Sequence, residues 1–156
     1  MNNEAMLKLS KKTDYAIILL THLGKQIAPV SAQEMASLYK LPSPMVANIL
    51  KQLVSSGFIK STRGQNGGYV LGLSADDINL SEIIRITDST FELVECVHEE
   101  DSCKVYQCCP TRGPLIALHH KIQQFVEDTT LANIIEDTKS KNFRVNKSSY
   151  ETAHLS

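Results

Sequence analysis

No stretch of the 156-residue sequence reaches the roughly 18 consecutive apolar residues that a membrane-spanning helix requires, so a membrane protein is not expected. The opening residues, MNNEAMLKLSKKTDYAII, lack a cationic region followed by an apolar stretch and a small-residue cleavage site, which points to the cytosol. Catalytic constellations are also missing. There is no Ser/His/Asp pattern, no pair of carboxylates in an apolar setting and no nucleotide-binding loop, so an enzyme is not expected. Internal repeats are absent. Cysteine is absent too, except in one fourteen-residue window.

That window reads Cys96-x6-Cys103-x4-Cys108-Cys109. Cysteines scattered through a chain usually pack a core. Four on one polar loop point instead to a soft metal ion or an iron–sulfur cluster, because thiolates select zinc, copper(I) and iron–sulfur units. In a reducing compartment such a group is more often metal-binding or redox-active than a disulfide framework.

Net charge is only −1, but it is unevenly spread. Residues 1–72 hold eight Lys/Arg against three acids, a net of +5, and residues 73–156 hold eight against fourteen, a net of −6. The front half suits a polyanion and the back half does not.

Apolar spacing and cap residues outline the elements. Residues 9–25 read as a helix with Tyr15, Ala16, Leu19, Leu20 and Leu23 on its apolar side and Gly24 as its stop. Ser31, with Glu34 three residues on, opens a second helix as a capping box. Leu41-Pro42-Ser43-Pro44 breaks the chain, and a third helix is expected over 44–56, capped by Ser43, burying Val46, Ile49, Leu50 and Leu53 and ending at Gly57. Two short helices around a tight turn are the outline of a helix-turn-helix. Residues 58–62 and 69–71 then alternate as strands around RGQNGG, which makes a hairpin wing. A linker over 72–80 and a short helix from Leu80-Ser81-Glu82 precede the cysteine loop, 92–112. Residues 114–128 form a longer helix with Leu115, Leu118, Ile122 and Phe125 in 3-4-3 spacing, a seam suited to pairing with a second copy. His119 and His120 on that helix are expected at the surface or interface. A short amphipathic helix over 130–137 and a polar, disordered tail complete the chain. The expected fold is mainly α with a small β-hairpin wing: a winged helix-turn-helix domain over 6–73, a cysteine loop and dimerisation helix over 74–137, and a tail over 138–156.

If 44–56 is the recognition helix, Ser43, Met45, Ala47, Asn48 and Lys51 remain outward to meet double-stranded DNA. Asn48 suits adenine, Met45 or Ala47 a thymine methyl, and Lys51 phosphate or guanine. Arg63, Gln65 and Asn66 at the wing tip suit the minor groove or phosphate. Lys8, Lys11 and Lys12 suit the backbone. Such a dimer reads a pseudo-palindromic operator.

LKLSKKTDYAIILL, the helix-turn-helix, RGQNGGYVLG, LSEIIRITD and the spaced cysteines together resemble the Rrf-two family of bacterial winged-helix regulators, over about residues 6–137. ECVHEEDSCKVYQCCPTRG looks most like the branch that regulates the SUF iron–sulfur assembly operon. The resemblance implies a homodimeric repressor that senses iron–sulfur, nitric oxide or redox status. It also implies an iron–sulfur cluster, 2Fe–2S rather than 4Fe–4S, held by Cys96, Cys103 and Cys109. The fourth ligand is open. Arg112 stands where some members have a histidine. Asp14, offered by the other subunit, ranks first, ahead of Cys108 and His98. Two further readings stay open: a zinc site of Cys96, Cys103, Cys108 and Cys109, and a metal-free switch in which Cys108 or Cys109 is oxidised against Cys103.

Overall fold

A computed structural model describes residues 9–87 and 103–139. Lys8, Cys96, His98 and residues 140–156 lie outside the described residues. Six helices and one hairpin follow in the order α1 (Lys11–Gly24), α2 (Ala32–Tyr39), α3 (Ser43–Ser55), β1 (Ile59–Thr62), β2 (Gly68–Leu71), a 3-10 turn (Ala75–Asp77), α4 (Leu80–Thr87), α5 (Arg112–Asp128) and α6 (Leu131–Lys139).

Local signals set the boundaries. Ser10 caps α1 by accepting from the Thr13 amide at 3.1 Å, and Ser31 caps α2 by accepting from the Glu34 amide at 3.1 Å. At the end of α2, Lys40 turns left-handed at φ 53°, and the Leu41 amide reaches back to the Ala36 carbonyl at 2.9 Å. This tight turn re-aims the chain into α3. The expected Ser43 cap is corrected here. Pro42 occupies the N-cap without a side-chain hydrogen bond and Ser43 is the first helical residue. The Pro42 carbonyl accepts from the Met45 and Val46 amides at 3.0 and 3.1 Å, so the helical hydrogen bonds begin one residue earlier and take Ser43 into the first turn. α3 closes on Gly57 at φ 80°, with the Phe58 amide bonded to the Leu53 carbonyl and the Gly57 amide to that of Val54, each at 3.0 Å. At α4 the cap is Asn79, whose side-chain oxygen accepts from the Glu82 amide at 2.9 Å.

One core joins these elements. Leu19 and Leu20 of α1, Met35 of α2, Val46, Ile49, Leu50 and Leu53 of α3, and Ile59 of β1 are buried together with Ile78, Ile83, Leu131 and Ile135. The segment read as a linker therefore delivers a core residue, Ile78. It is pinned at the start of α6, where the Leu80 amide meets the Thr129 carbonyl and the Leu131 amide meets that of Ile78, both at 2.8 Å. α6 runs two residues past the expected helix, through Thr138 and Lys139, and Thr138 bonds the Ile135 carbonyl at 2.7 Å.

β1 and β2 pair antiparallel from Ile59↔Leu71 to Thr62↔Gly68. A third chain segment joins them at Val30↔Tyr69, through two amide–carbonyl bonds of 3.1 and 2.8 Å. Gly68 makes this approach possible: a Cβ there would stand 2.6–2.9 Å from Val30 backbone atoms. Gly68→Ala is expected to force the wing off Val30 at a cost of about 1–3 kcal/mol. Differential scanning calorimetry should show the thermal midpoint lowered by roughly 2–12 °C. An unchanged midpoint would mean that this seat can move freely.

Candidate nucleic-acid interface and cysteine site

α3 is strictly two-sided. Val46, Ile49, Leu50 and Leu53 are buried, while Ser43, Met45, Ala47, Asn48 and Lys51 are all exposed. No acidic residue lies in its first turn, so the positive end of the helix dipole faces outward unopposed. Arg63, Gln65 and Asn66 are exposed at the wing tip, where a turn closes through the Gly67 amide and Gly64 carbonyl at 3.0 Å. Lys40 and Lys60, not singled out from the sequence, are exposed as well. A surface of donors and cations on a helix and an adjoining hairpin can read base edges and hold phosphates.

The second half of the cysteine window leads directly into α5. The Tyr106 amide bonds the Cys103 carbonyl at 3.0 Å and the Cys108 amide bonds the Val105 carbonyl at 3.1 Å, folding 103–109 into successive turns. Arg112 braces them. Its guanidinium lies 4.3 Å over the Tyr106 ring and donates to the Tyr106 carbonyl at 3.1 Å. From the sequence Arg112 showed only that a histidine ligand is missing. Its bracing role needs the turn geometry to be seen.

Cys103, Cys108 and Cys109 are free thiols. The Cys109 sulfur lies 3.4 Å from the Thr111 hydroxyl. That hydroxyl, then the Thr111 amide, then the Arg112 amide and charge hold its thiol below the usual range, with desolvation opposing them. The shift favours the thiolate, the form that ligates soft metals. Its donor chemistry fits a cysteine-held cluster. Cys108 is exposed and directs its thiol at the Val105 carbonyl, 3.7 Å away.

Among the described residues, no three of His, Cys, Asp and Glu stand close enough together to hold a metal ion. Cys103, Cys108 and Cys109 therefore do not converge as a closed zinc site would require. Nor does Asp14 of the same chain join Cys103 and Cys109. Asp14 is exposed in the first turn of α1, accessible from outside its own chain.

α5 has two apolar stripes rather than one. Ile116, Ile122 and Val126 are half-buried on the side that includes His119, and α5 packs against α4. His119 is 3 % exposed, which corrects its expected surface position, and His120 is exposed as expected. Along the adjoining flank Leu115, Leu118 and Phe125 remain 36 %, 46 % and 71 % exposed. Ile122, assigned to that seam from spacing, is shared between the stripes. No helix among the described residues is long and apolar enough to cross a membrane.

Known proteins share this arrangement. The family described as Rrf2, iron-dependent transcriptional regulator, matches residues 9–137. The HTH-type transcriptional regulator NsrR of Shouchella clausii is 27 % identical over 132 residues, covering 83 % of this chain and 89 % of the relative. The solved structure of CymR, the global cysteine regulator of B. subtilis, superposes with a TM-score of 0.67 at 27 % identity, covering 83 % of this chain and 97 % of that one. T. potens IscR gives a TM-score of 0.65 at 25 % identity, covering 85 % and 88 %. With its helix-turn-helix, its wing and a family match over nearly the whole described length, the chain belongs to the Rrf2 family and is a DNA-binding transcriptional regulator, not an enzyme.

Proposed function

We propose that this regulator is a cytoplasmic homodimeric repressor that reports iron–sulfur status through a cluster held by Cys96, Cys103 and Cys109. The observation that carries this reading is the Cys103–Cys109 turn: two free cysteines, one with its thiol pKa lowered, are braced by Arg112 at the head of a helix with a partly exposed apolar seam. Residues 6–73 serve as the DNA-binding part, with α3 and the wing on a pseudo-palindromic operator through Ser43, Met45, Ala47, Asn48, Lys51, Arg63, Gln65 and Asn66. Residues 74–137 serve sensing and dimerisation, and Leu115, Leu118 and Phe125 of two copies cover one another.

Asp14 of the partner subunit completes the ligand set, which agrees with its exposure and with the absence, among the described residues of one chain, of a group joining it to both Cys103 and Cys109. A 2Fe–2S cluster bound there would supply a redox-active and nitric-oxide-reactive centre, and Asp14, the one oxygen donor among thiolates, would be its weakest ligand. Holding that corner ties α1 of one subunit to the cysteine window of the other. The regulated genes are those of iron–sulfur assembly, the SUF system, by the likeness of ECVHEEDSCKVYQCCPTRG.

Anaerobic purification followed by iron and acid-labile sulfide assays tests this reading. Matched iron and sulfide in a brown protein are expected, with a visible spectrum of the 2Fe–2S type. A colourless protein that takes up neither on reconstitution would overturn it in favour of zinc or a thiol switch.

A further inference from the structure

Thr13 is fully buried in the first turn of α1, and Thr87 is 6 % exposed at the last residue of α4. Their hydroxyl oxygens are 2.7 Å apart, although 74 residues separate them in sequence. Thr87 also lies 2.8 Å from the Ile83 carbonyl, which can only accept, so the Thr87 proton goes there. The Thr13–Thr87 contact thus ties α1 to a side chain that its own helix holds fixed. Ser10, the cap of α1, has its hydroxyl 3.3 Å from that of Thr13. A chain of hydroxyls thus runs from the cap of α1 to the backbone of α4.

The sequence on either side gives this contact its significance. Asp14 follows Thr13 directly, and the residues after Thr87 lead through Cys96 to Cys103. α1 packs on α3, the helix with the exposed base-reading side chains. We infer that the Thr13–Thr87 hydrogen bond is the positioning contact through which the state of the cysteine window sets the seat of α1, and with it the DNA-binding geometry. Neither threonine is assigned to the cysteines or to DNA, so both act through other residues. The inference rests on the sensing role proposed above, but not on the sensed group being a cluster.

The test compares Thr87→Val, which keeps volume and β-branching but removes the hydroxyl, with Thr87→Ser, which keeps the hydroxyl but removes the methyl. Operator affinity of the full-length protein is measured with the cluster loaded and removed, alongside iron and sulfide content. The expected result is that Thr87→Val keeps wild-type iron and sulfide while the affinity ratio between the two states shrinks roughly fivefold or more, and Thr87→Ser keeps the ratio. A purely packing role would give the opposite order, because serine leaves the larger gap. If the wild-type protein carries no iron, the cluster reading fails, and the same ratio is taken between oxidised and reduced thiols. An unchanged ratio in Thr87→Val, a loss greater in Thr87→Ser, or a wild-type ratio of one in both comparisons would each overturn the inference.

Discussion

Leu118→Asp is expected to split the dimer and to weaken operator binding by about a hundredfold or more. Leu118 lies between Leu115 and Phe125 on the outward stripe of α5, and the three keep a third to nearly three quarters of their surface uncovered within one chain. Two such stripes packed together bury apolar surface at roughly 25 cal/mol per Å². An aspartate at the centre of each stripe places two carboxylates against one another in that contact, where an unpaired charge is costly. The chain itself should still fold, because Leu118 is 46 % exposed and absent from the core. Loss of DNA affinity follows from valency. Two linked modules bind two half-sites with an advantage of about 10²–10⁴ over one. Sedimentation equilibrium should show a monomer, and fluorescence anisotropy with a labelled operator should show the loss. A stable dimer with native affinity would place the dimer contact elsewhere.

Cys109→Ser is expected to abolish iron and sulfide retention altogether while leaving the fold in place. The substitution removes one sulfur atom from an otherwise isosteric side chain. A serine hydroxyl stays protonated where the Cys109 thiol, helped by the Thr111 hydroxyl and two amides, is disposed to ionise. Because Cys109 is outside the core cluster, far-ultraviolet circular dichroism and the thermal midpoint of the cluster-free protein should match wild type. Asp14→Ala provides the contrast, since an oxygen ligand is the weaker partner and its removal should hasten cluster loss rather than prevent loading. Equal iron and sulfide in Cys109→Ser and wild type would remove Cys109 from the ligand set.

The helix-turn-helix was legible because its boundaries are local events. Ser31 with Glu34, the Leu41–Pro44 break and Gly57 each act within one turn of chain, and each lies where the structure starts or stops a helix. The wing was legible for the same reason, from RGQNGG between alternating segments. Contacts made by one residue were not. Val30 meeting Tyr69, Ile78 entering the core from a polar stretch, and Thr13 meeting Thr87 leave no period in the sequence. α5 misled differently. Its two apolar stripes are offset by a single residue, so spacing revealed the outward Leu115–Leu118–Phe125 seam and hid the inward one that buries His119. The cysteine window stood out as a candidate site from its clustering alone, but Arg112 lying over Tyr106 depends on the turns between them.

The return of α6 to α1 also bears on how regulators of this kind diversify. Ile135 lies over Gly24, where a Cβ would come into contact with the Ile135 side chain, and Leu131 is fully buried in the common core. The last described helix is thus a buttress of the first. A chimaera that joins the front of this chain to the sensing half of a relative must therefore carry a compatible residue to fill the space over Gly24, and natural recombination within the wing–linker region faces the same constraint. On the proposed reading, operator preference drifts through exposed positions on α3, and a new signal input evolves within the cysteine window while its flanking helices stay in register with the core.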